Sequence, residues 1–322
     1  MDGAIDVTLP RAKSAIFLGS KSFGLAILKA LITAEPSIKW TIIHPDDRSD
    51  PRSKYSVYES FAQQSEIELK LVKDRGEADA ALFQISYDIA FVCGWYWLLG
   101  DHIVGGDAPP AYGIHNSLLP RYRGGAPLVW SILNGEREVG GSLFRLSKGV
   151  DDGDIALQVK VVVNQCETVG ELLGQIEARF TQAIPKVWKS IISGQVNLVR
   201  QESSLATYCA QRRPEDGLVD WSDSAQNIHN FIRAQSKPYP CAFTFCAQTK
   251  IYVDRAEVFP APYLGRPGQI VERSPSYITV TTGAGGALRI TEAHDEHGTS
   301  DLCVIFRPGV RLLGYQQEAC HS

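Results

Sequence analysis

The first strong pattern in the chain is Ser14–Leu18 (SAIFL), a short apolar run that ends in the turn Gly19-Ser20-Lys21-Ser22-Phe23-Gly24. An apolar-periodic stretch then continues to Ile32, which predicts a strand, a glycine turn and a helix. Lys39–His44 (KWTIIH) predicts a second strand, and the alternation over Ile67–Val72 a third. Tyr87–Cys93 (YDIAFVC) predicts a fourth strand, apolar enough to be buried on both faces. Strands alternating with helical segments predict an α/β fold, a Rossmann-like and mostly parallel sheet with helices on both faces. Ligands of such sheets bind at the carboxyl ends of the strands.

Farther along, Ala126–Leu133 predicts a helix closed by Asn134-Gly135. Gly141–Leu146 and Ile155–Val163 predict strands, the second with Ile155, Leu157, Val159, Val161 and Val163 on one face. Thr168-x-x-Glu171 is a capping box that opens a long helix to about Ile192. Its apolar face carries Leu172, Leu173, Ile176, Phe180, Ile184 and Trp188. After Gly194 the texture changes to a polar, proline-bearing link through Arg212–Gly217 (RRPEDG) and a helix over Ser224–Gln235. Short β-rich segments follow at Ala242–Cys246, Lys250–Asp254, Gln269–Arg273, Tyr277–Thr281, Ala287–Thr291 and Leu302–Phe306. Their Gly and Pro punctuation predicts a smaller, OB-like β-barrel domain. A boundary near residue 205 gives domains 1–205 and 206–322.

Composition narrows the class. The 322 residues are 44% hydrophobic, enough for a sizeable core, and the net charge of −4 gives no basic excess for a nucleic-acid surface. Seven cysteines, an odd number with no C-x-x-C pair, support neither a disulfide framework nor a zinc site. Reduced thiols and a cytoplasmic location are expected, with Cys320 exposed. The leader MDGAIDVTLPRAK lacks a long apolar segment, and no apolar run reaches the roughly 18 residues of a membrane span.

The richest chemistry lies in Gly113–Pro127 (GIHNSLLPRYRGGAP), between a predicted strand and a predicted helix. His115 there is a natural general acid/base and oxyanion donor near neutral pH. Downstream, Lys148–Asp154 (KGVDDGD) is a tight acidic turn between two strands, whose carboxylate can reach a histidine on the neighbouring loop. Taken alone, the same residues also read as a structural histidine and a hairpin turn. A calcium loop is disfavoured because its twelve-residue ligand spacing is absent.

The segment HNSLLPRYRG resembles the His-x-Ser-Leu-Leu-Pro signature of folate-dependent formyltransferases, and the Asp151 turn resembles that family's second element. The family includes methionyl-tRNA formyltransferase, glycinamide ribonucleotide formyltransferase and the sugar-nucleotide N-formyltransferases. The similarity continues through NGEREVGGSLFRLSKGVDDGDI and through RRPEDGLVDWSDSAQNIHNFIRAQSKPYPCAFTF. It spans about residues 14–295 and is strongest to the formyltransferase half of the bifunctional aminoarabinose enzyme. The resemblance implies that 10-formyltetrahydrofolate is the formyl donor and that no metal takes part. It also implies that His115 and Asp151 are catalytic, with the pterin held by Gly94, Trp95, Tyr96, Trp97, Leu98 and Leu99 together with Val150 and Asp152. Gly19, Ser20, Ser117 and Tyr239 are expected on the acceptor side, with a rigid turn as the other reading of Tyr239, and Arg121 and Arg123 read either as bidentate phosphate donors or as a solvated surface. The sequence departs from the family at Gly113, which stands where the pattern has an oxyanion-donating Asn. Loss of one such donor typically costs roughly 3–4 kcal/mol. Asn116 is the nearby amide, although on an extended segment it points to the opposite side from residues 113 and 115. Gly113→Asn is therefore expected to raise or preserve formylation, unless the glycine makes room for a close-lying group.

The expected acceptor is an amino-sugar nucleotide. Initiator tRNA is the alternative, weakened by the short, mixed-charge stretch Asp46–Lys54 (DDRSDPRSK) in place of a basic insertion. Hydroxyornithine or another amino acid is a further acceptor reading, and a non-catalytic folate-binding protein on the same scaffold is the contrasting class. The C-terminal domain is expected to serve the acceptor site or a homodimer contact, with no membrane partner.

Overall fold

The computed structural model describes residues 12–50, 53–106 and 108–314. The expectations for Cys320 and for the leader before Ala12 lie outside them. The chain falls into two compact units, one of residues 12–124, 140–160 and 175–208, the other of 125–139, 161–174 and 209–314.

The first unit begins with the β1–α1–β2 repeat read from the sequence: β1 Ser14–Gly19, α1 Lys21–Ala34 and β2 Lys39–Pro45. It continues through α2 Tyr55–Gln64, β3 Glu68–Val72, α3 Arg75–Phe83, β4 Ile89–Cys93, the short α4 Asp101–Val104 and β5 Ala111–His115. A two-residue strand β6, Arg123–Gly124, precedes β7 Glu138–Arg145 and β8 Ile155–Val162, and helix α5, Pro127–Leu133, which lies between β6 and β7 in sequence, belongs to the second unit. Seven strands form one sheet in the order β3-β2-β1-β4-β5-β7-β8. The pairs among β1–β5 are parallel, and β7 runs antiparallel to β5. The parallel pairing buries Ile16, Phe17, Leu18, Ile42, Ile43, Ala90 and Phe91 completely, as their continuous apolar runs require.

Helix α6, Val169–Ile192, opens on the expected capping box: Thr168 N–H donates to Glu171 Oε2 at 2.8 Å. Leu172, Ile176, Phe180, Ile184 and Trp188 are fully buried on its apolar stripe. Among the described residues no helix is long and apolar enough to cross a membrane.

The second unit is built on α7, Ala225–Gln235, whose Ser224 cap accepts from Asn227 N–H, and on a six-stranded antiparallel sheet. After the two-residue β9 (Tyr208–Cys209), its strands are β10 Ala242–Cys246, β11 Thr249–Val258, β12 Ile270–Ser274, β13 Tyr277–Thr281, β14 Ala287–Asp295 and β15 Leu312–Leu313. In the order β12-β13-β14-β11-β10-β15 they curl into a half-barrel around Val253, Ile278, Val280, Leu288 and Ile290, with Ile228 and Ile232 of α7 in the same core. The two edges approach at a bridge between Gln269 and Arg311. One element differs from expectation: Leu302–Phe306 is not a strand. Asp301 accepts from the N–H groups of Cys303 and Val304, and this cap turns Leu302–Ile305 into the short helix α8.

Candidate active site

His115 is the last residue of β5. Its backbone is registered against Ser142 of β7, and its largely buried ring leaves the sheet where the strand ends. The ring has two neighbours. Nε2 lies 2.7 Å from the carbonyl oxygen of Tyr122, and Nδ1 lies 3.5 Å from Asp151 Oδ2. A peptide carbonyl only accepts, so Nε2 carries the hydrogen and donates it. Nδ1 is then the ring nitrogen that faces the carboxylate.

The turn after β5 sets both neighbours. Tyr122 holds its carbonyl in place from φ +59°, and Asp151 sits at φ +49°, so two non-glycine residues occupy the left-handed region in one site. Tyr122 N–H donates to Thr207 Oγ1 at 2.8 Å, and Gly124 N–H donates to Asp151 Oδ2 at 2.9 Å. Ser142 Oγ bridges the turn internally, donating to Ser117 O at 2.7 Å and accepting from Leu119 N–H at 3.1 Å.

Gly113, two residues before His115, is buried in β5 opposite Phe144. A Cβ there would lie 2.9 Å from Leu146 Cδ2. The space that a side chain at 113 would enter is therefore taken by Leu146. Asn116 lies beyond the strand, with its Oδ1 buried and without a hydrogen-bond partner among the described residues.

A cavity of about 490 Å³ flanks the Asp151 turn, lined by residues 103–106, 108–111, 145–148 and 152–154. Its size falls within the usual range of small-molecule sites. Leu146 and Asp152 border it, and Ser147 Oγ donates to Asp152 Oδ1. Val150 at the tip of the turn is exposed.

The loop after β4 splits by side. Trp95, Trp97 and Leu99 pack against the core of the first unit, with Trp95 and Trp97 edge to face at 5.1 Å, whereas Tyr96 and Leu98 are exposed. Tyr96 OH donates to Asp47 Oδ2 at 3.0 Å, and Lys21 Nζ reaches the same oxygen at 2.8 Å and Asp50 at 2.9 Å. Burial opposes ionisation of Asp47, but hydrogen bonds from Lys21, Ser53 and Tyr96 outweigh it and hold the carboxyl below its ordinary range.

Four residues expected on the acceptor side, Gly19, Ser20, Ser117 and Arg123, make contacts within the fold. Ser20 is fully buried and its Oγ donates to Gly94 O at 2.7 Å, while a Cβ at Gly19 would fall 2.2 Å from Cys93 O. This pair clips the end of β1 to the end of β4. Ser117 is buried, with Oγ donating to Arg121 O at 2.7 Å. Arg123 is 3% exposed, and its guanidinium donates to Gln201 Oε1 and to Tyr208 OH, so it does not present itself to a phosphate in solution. Arg121 is exposed, with its guanidinium 5.4 Å from the Tyr122 ring centre. Tyr239 belongs to the second unit and its N–H donates to Ser236 O. Sequence reasoning missed the Tyr122 carbonyl, the Gly124 N–H and Gln201. The first two are backbone groups with no residue signature, and Gln201 lies in the featureless run VRQESS.

Residues 12–188 match the formyl transferase family, and residues 212–300 match the formyl transferase C-terminal domain. Methionyl-tRNA formyltransferase of Staphylococcus epidermidis is 30% identical over 283 residues, covering 86% of this chain and 90% of the relative. Among solved structures, the sugar 3N-formyl transferase WlaRD, determined with dTDP and 5-N-formyl-THF, superimposes with a TM-score of 0.64 at 17% identity, covering 89% of this chain and 98% of that one. An N-formyltransferase from Helicobacter canadensis, in complex with folinic acid and dTDP-3-aminofucose, gives 0.66 at 18% identity, covering 87% and 98%. At these identities the two structures establish the shared fold. The two domain matches and the 30% identity go further, and on them the chain belongs to the formyl transferase family.

Proposed function

We propose that this formyltransferase moves the formyl group of 10-formyltetrahydrofolate to the amine of a nucleotide-linked amino sugar, with His115 and Asp151 at the reacting centre. The observation that carries this reading is the orientation of His115. With Nε2 committed to Tyr122 O, Nδ1 is left to exchange a proton beside Asp151.

The chemistry balances as follows. The amine nitrogen attacks the formyl carbon, a new C–N bond forms, and the carbonyl oxygen becomes an oxyanion. Protonated Nδ1 donates to that oxygen, a term that is commonly the largest in acyl transfer. The bond from the formyl carbon to N10 of the folate then breaks. The proton lost by the amine travels to N10 through the Asp151–His115 pair, so tetrahydrofolate leaves neutral at that nitrogen. The cavity beside the Asp151 turn, with the peptide groups of Gly105, Gly106 and Gly153 in its wall, fits a flat heterocycle with an amide-like edge.

Two observations favour the sugar acceptor. Both structural relatives described above were determined with a dTDP nucleotide or dTDP-sugar. Residues 206–314 hold eleven Lys and Arg against eleven Asp and Glu, a neutral balance unsuited to an RNA surface. Exposed Arg121 is then the phosphate contact, and Arg123 is not. The second reading, initiator methionyl-tRNA, is favoured by the 30% identity to a relative of which 90% is covered. Incubation with 10-formyltetrahydrofolate and either dTDP-3-aminofucose or initiator methionyl-tRNA separates them. A formylated sugar in the mass spectrum is the expected product. Formyl-methionyl-tRNA with no sugar product would overturn the sugar assignment.

A further inference from the structure

We infer that Gln201 and Arg123 are positioning residues that hold the Asp151 turn against His115 without touching the reacting atoms. The inference rests on the reading of His115 and Asp151 as the reacting pair.

Asp151 at φ +49° is in a conformation that L-residues leave readily, so the turn needs restraint from outside itself. Gln201, fifty residues downstream on the segment after α6, supplies it. Its Nε2 donates to Asp151 O at 2.8 Å and to Gly153 O at 2.7 Å, spanning the turn from its catalytic residue to its far side. Its Oε1 accepts from Arg123 Nε at 3.2 Å and Nη2 at 2.8 Å. A guanidinium only donates and a carbonyl only accepts, so the partners at both ends fix the amide in one orientation. The amide is 6% exposed, which strengthens these bonds and penalises their loss.

Arg123 completes the link. It is flanked in sequence by Tyr122, whose carbonyl takes the His115 proton donor, and by Gly124, whose N–H holds Asp151 Oδ2. Its own N–H donates to Thr207 O at 2.8 Å, and Nη1 donates to Tyr208 OH at 3.2 Å. One buried side chain thus anchors the segment that carries both backbone contacts to the reacting pair, and Gln201 ties that anchor to the Asp151 turn. A misplacement of about 1 Å at such a pair costs on the order of a hundredfold in rate.

The discriminating variant is Gln201→Glu. It keeps an acceptor for Arg123 but sets a carboxylate against the carbonyls of Asp151 and Gly153. Turnover is measured with 10-formyltetrahydrofolate and dTDP-3-aminofucose, and in parallel with initiator methionyl-tRNA. Hydrogen exchange of residues 148–154 is followed in the unliganded protein. We expect kcat to fall about 10- to 100-fold with KM for the folate changed less than about threefold. Exchange over 148–154 is expected to accelerate while β1 and β4 stay protected. In an Asp151→Asn background Gln201→Glu should cost less than about twofold more, because its effect passes through Asp151. Arg123→Lys, which loses the fork, should repeat the pattern. Unchanged exchange with unchanged kcat, or full additivity with Asp151→Asn, would overturn the inference. If Asp151→Asn itself keeps wild-type turnover, the reacting-pair reading fails instead. Should neither acceptor turn over, the exchange of 148–154 decides alone.

Discussion

A Cβ at Gly113 would lie 2.9 Å from Cδ2 of Leu146, so these two residues, which neighbouring strands bring together, share one side-chain volume. Leu146 fills the space beside the glycine. This changes the expected outcome of restoring the family's Asn. Gly113→Asn alone pushes the end of the half-buried Leu146 side chain toward the cavity it borders, at less than the roughly 1–3 kcal/mol of overpacking in a closed core. Formylation should fall in the single variant. Gly113→Asn combined with Leu146→Ala gives the amide space, recovers stability in urea, and should raise kcat about tenfold or more above the single variant. A double variant no faster than the single one would show that the site has no use for a donor at 113.

The His115–Asp151 pair makes a sharper claim. Tyr122 O fixes Nε2 as a donor and leaves Nδ1 beside the carboxylate, the position where the proposed mechanism needs its proton. His115→Ala and Asp151→Ala should each lower kcat by about 10²- to 10⁴-fold, while far-ultraviolet circular dichroism and the melting midpoint stay near wild type. Wild-type kcat in either variant would remove the pair from the mechanism.

How far the sequence revealed this site follows from which groups build it. The parallel strands β1–β4 were legible because continuous apolar runs bounded by turn residues have few other solutions. His115 and Asp151 could be paired from the sequence because side chains carry motifs, and the structure brings them to 3.5 Å. Their fixing groups, the Tyr122 carbonyl, the Gly124 N–H and the Gln201 amide, left no trace, since backbone groups are common to all residues and Gln201 is fifty positions from its target. Ser20, Ser117 and Arg123 are polar residues beside glycine loops, and no pattern in the sequence announces their partners. In three dimensions they hold the loops together. Leu302–Phe306 reads as a strand because a short apolar run has no period, and the Asp301 cap makes its Leu302–Ile305 a helix.

Glu177 on α6 is half-buried, and desolvation pushes its carboxyl up to about 6. The folded pKa is above the ordinary value of 4.5, so the unfolded chain ionises first. Between pH 4.5 and 6 the folded state holds more protons, and this group's contribution to stability falls as pH rises, levelling off above 6. Glu177→Gln should therefore stabilise the protein at pH 7 by on the order of 1 kcal/mol, after discount for the exposed part of the side chain, and have little effect at pH 4.5. Urea midpoints at the two pH values measure the difference, and equal effects at both would contradict it.

His229 on α7 has the opposite sign. It is 6% exposed, and desolvation, with Arg233 adding repulsion, pushes its pKa down to about 4. The unfolded chain binds a proton below about pH 6.5 while the folded one stays neutral to about 4, so stability from this group is lost as pH falls through that window. The loss is on the order of 2–3 kcal/mol at pH 4. Since Glu177 favours the fold over much of the same range, the two partly offset each other and the wild-type profile understates both. The variants separate them. His229→Gln should flatten acid destabilisation between pH 6.5 and 4, and Glu177→Gln should steepen it. His229→Gln and wild type showing parallel urea-midpoint profiles over that range would mean that His229 protonates as readily folded as unfolded, and that its burial in α7 is not what sets the acid limit of this unit.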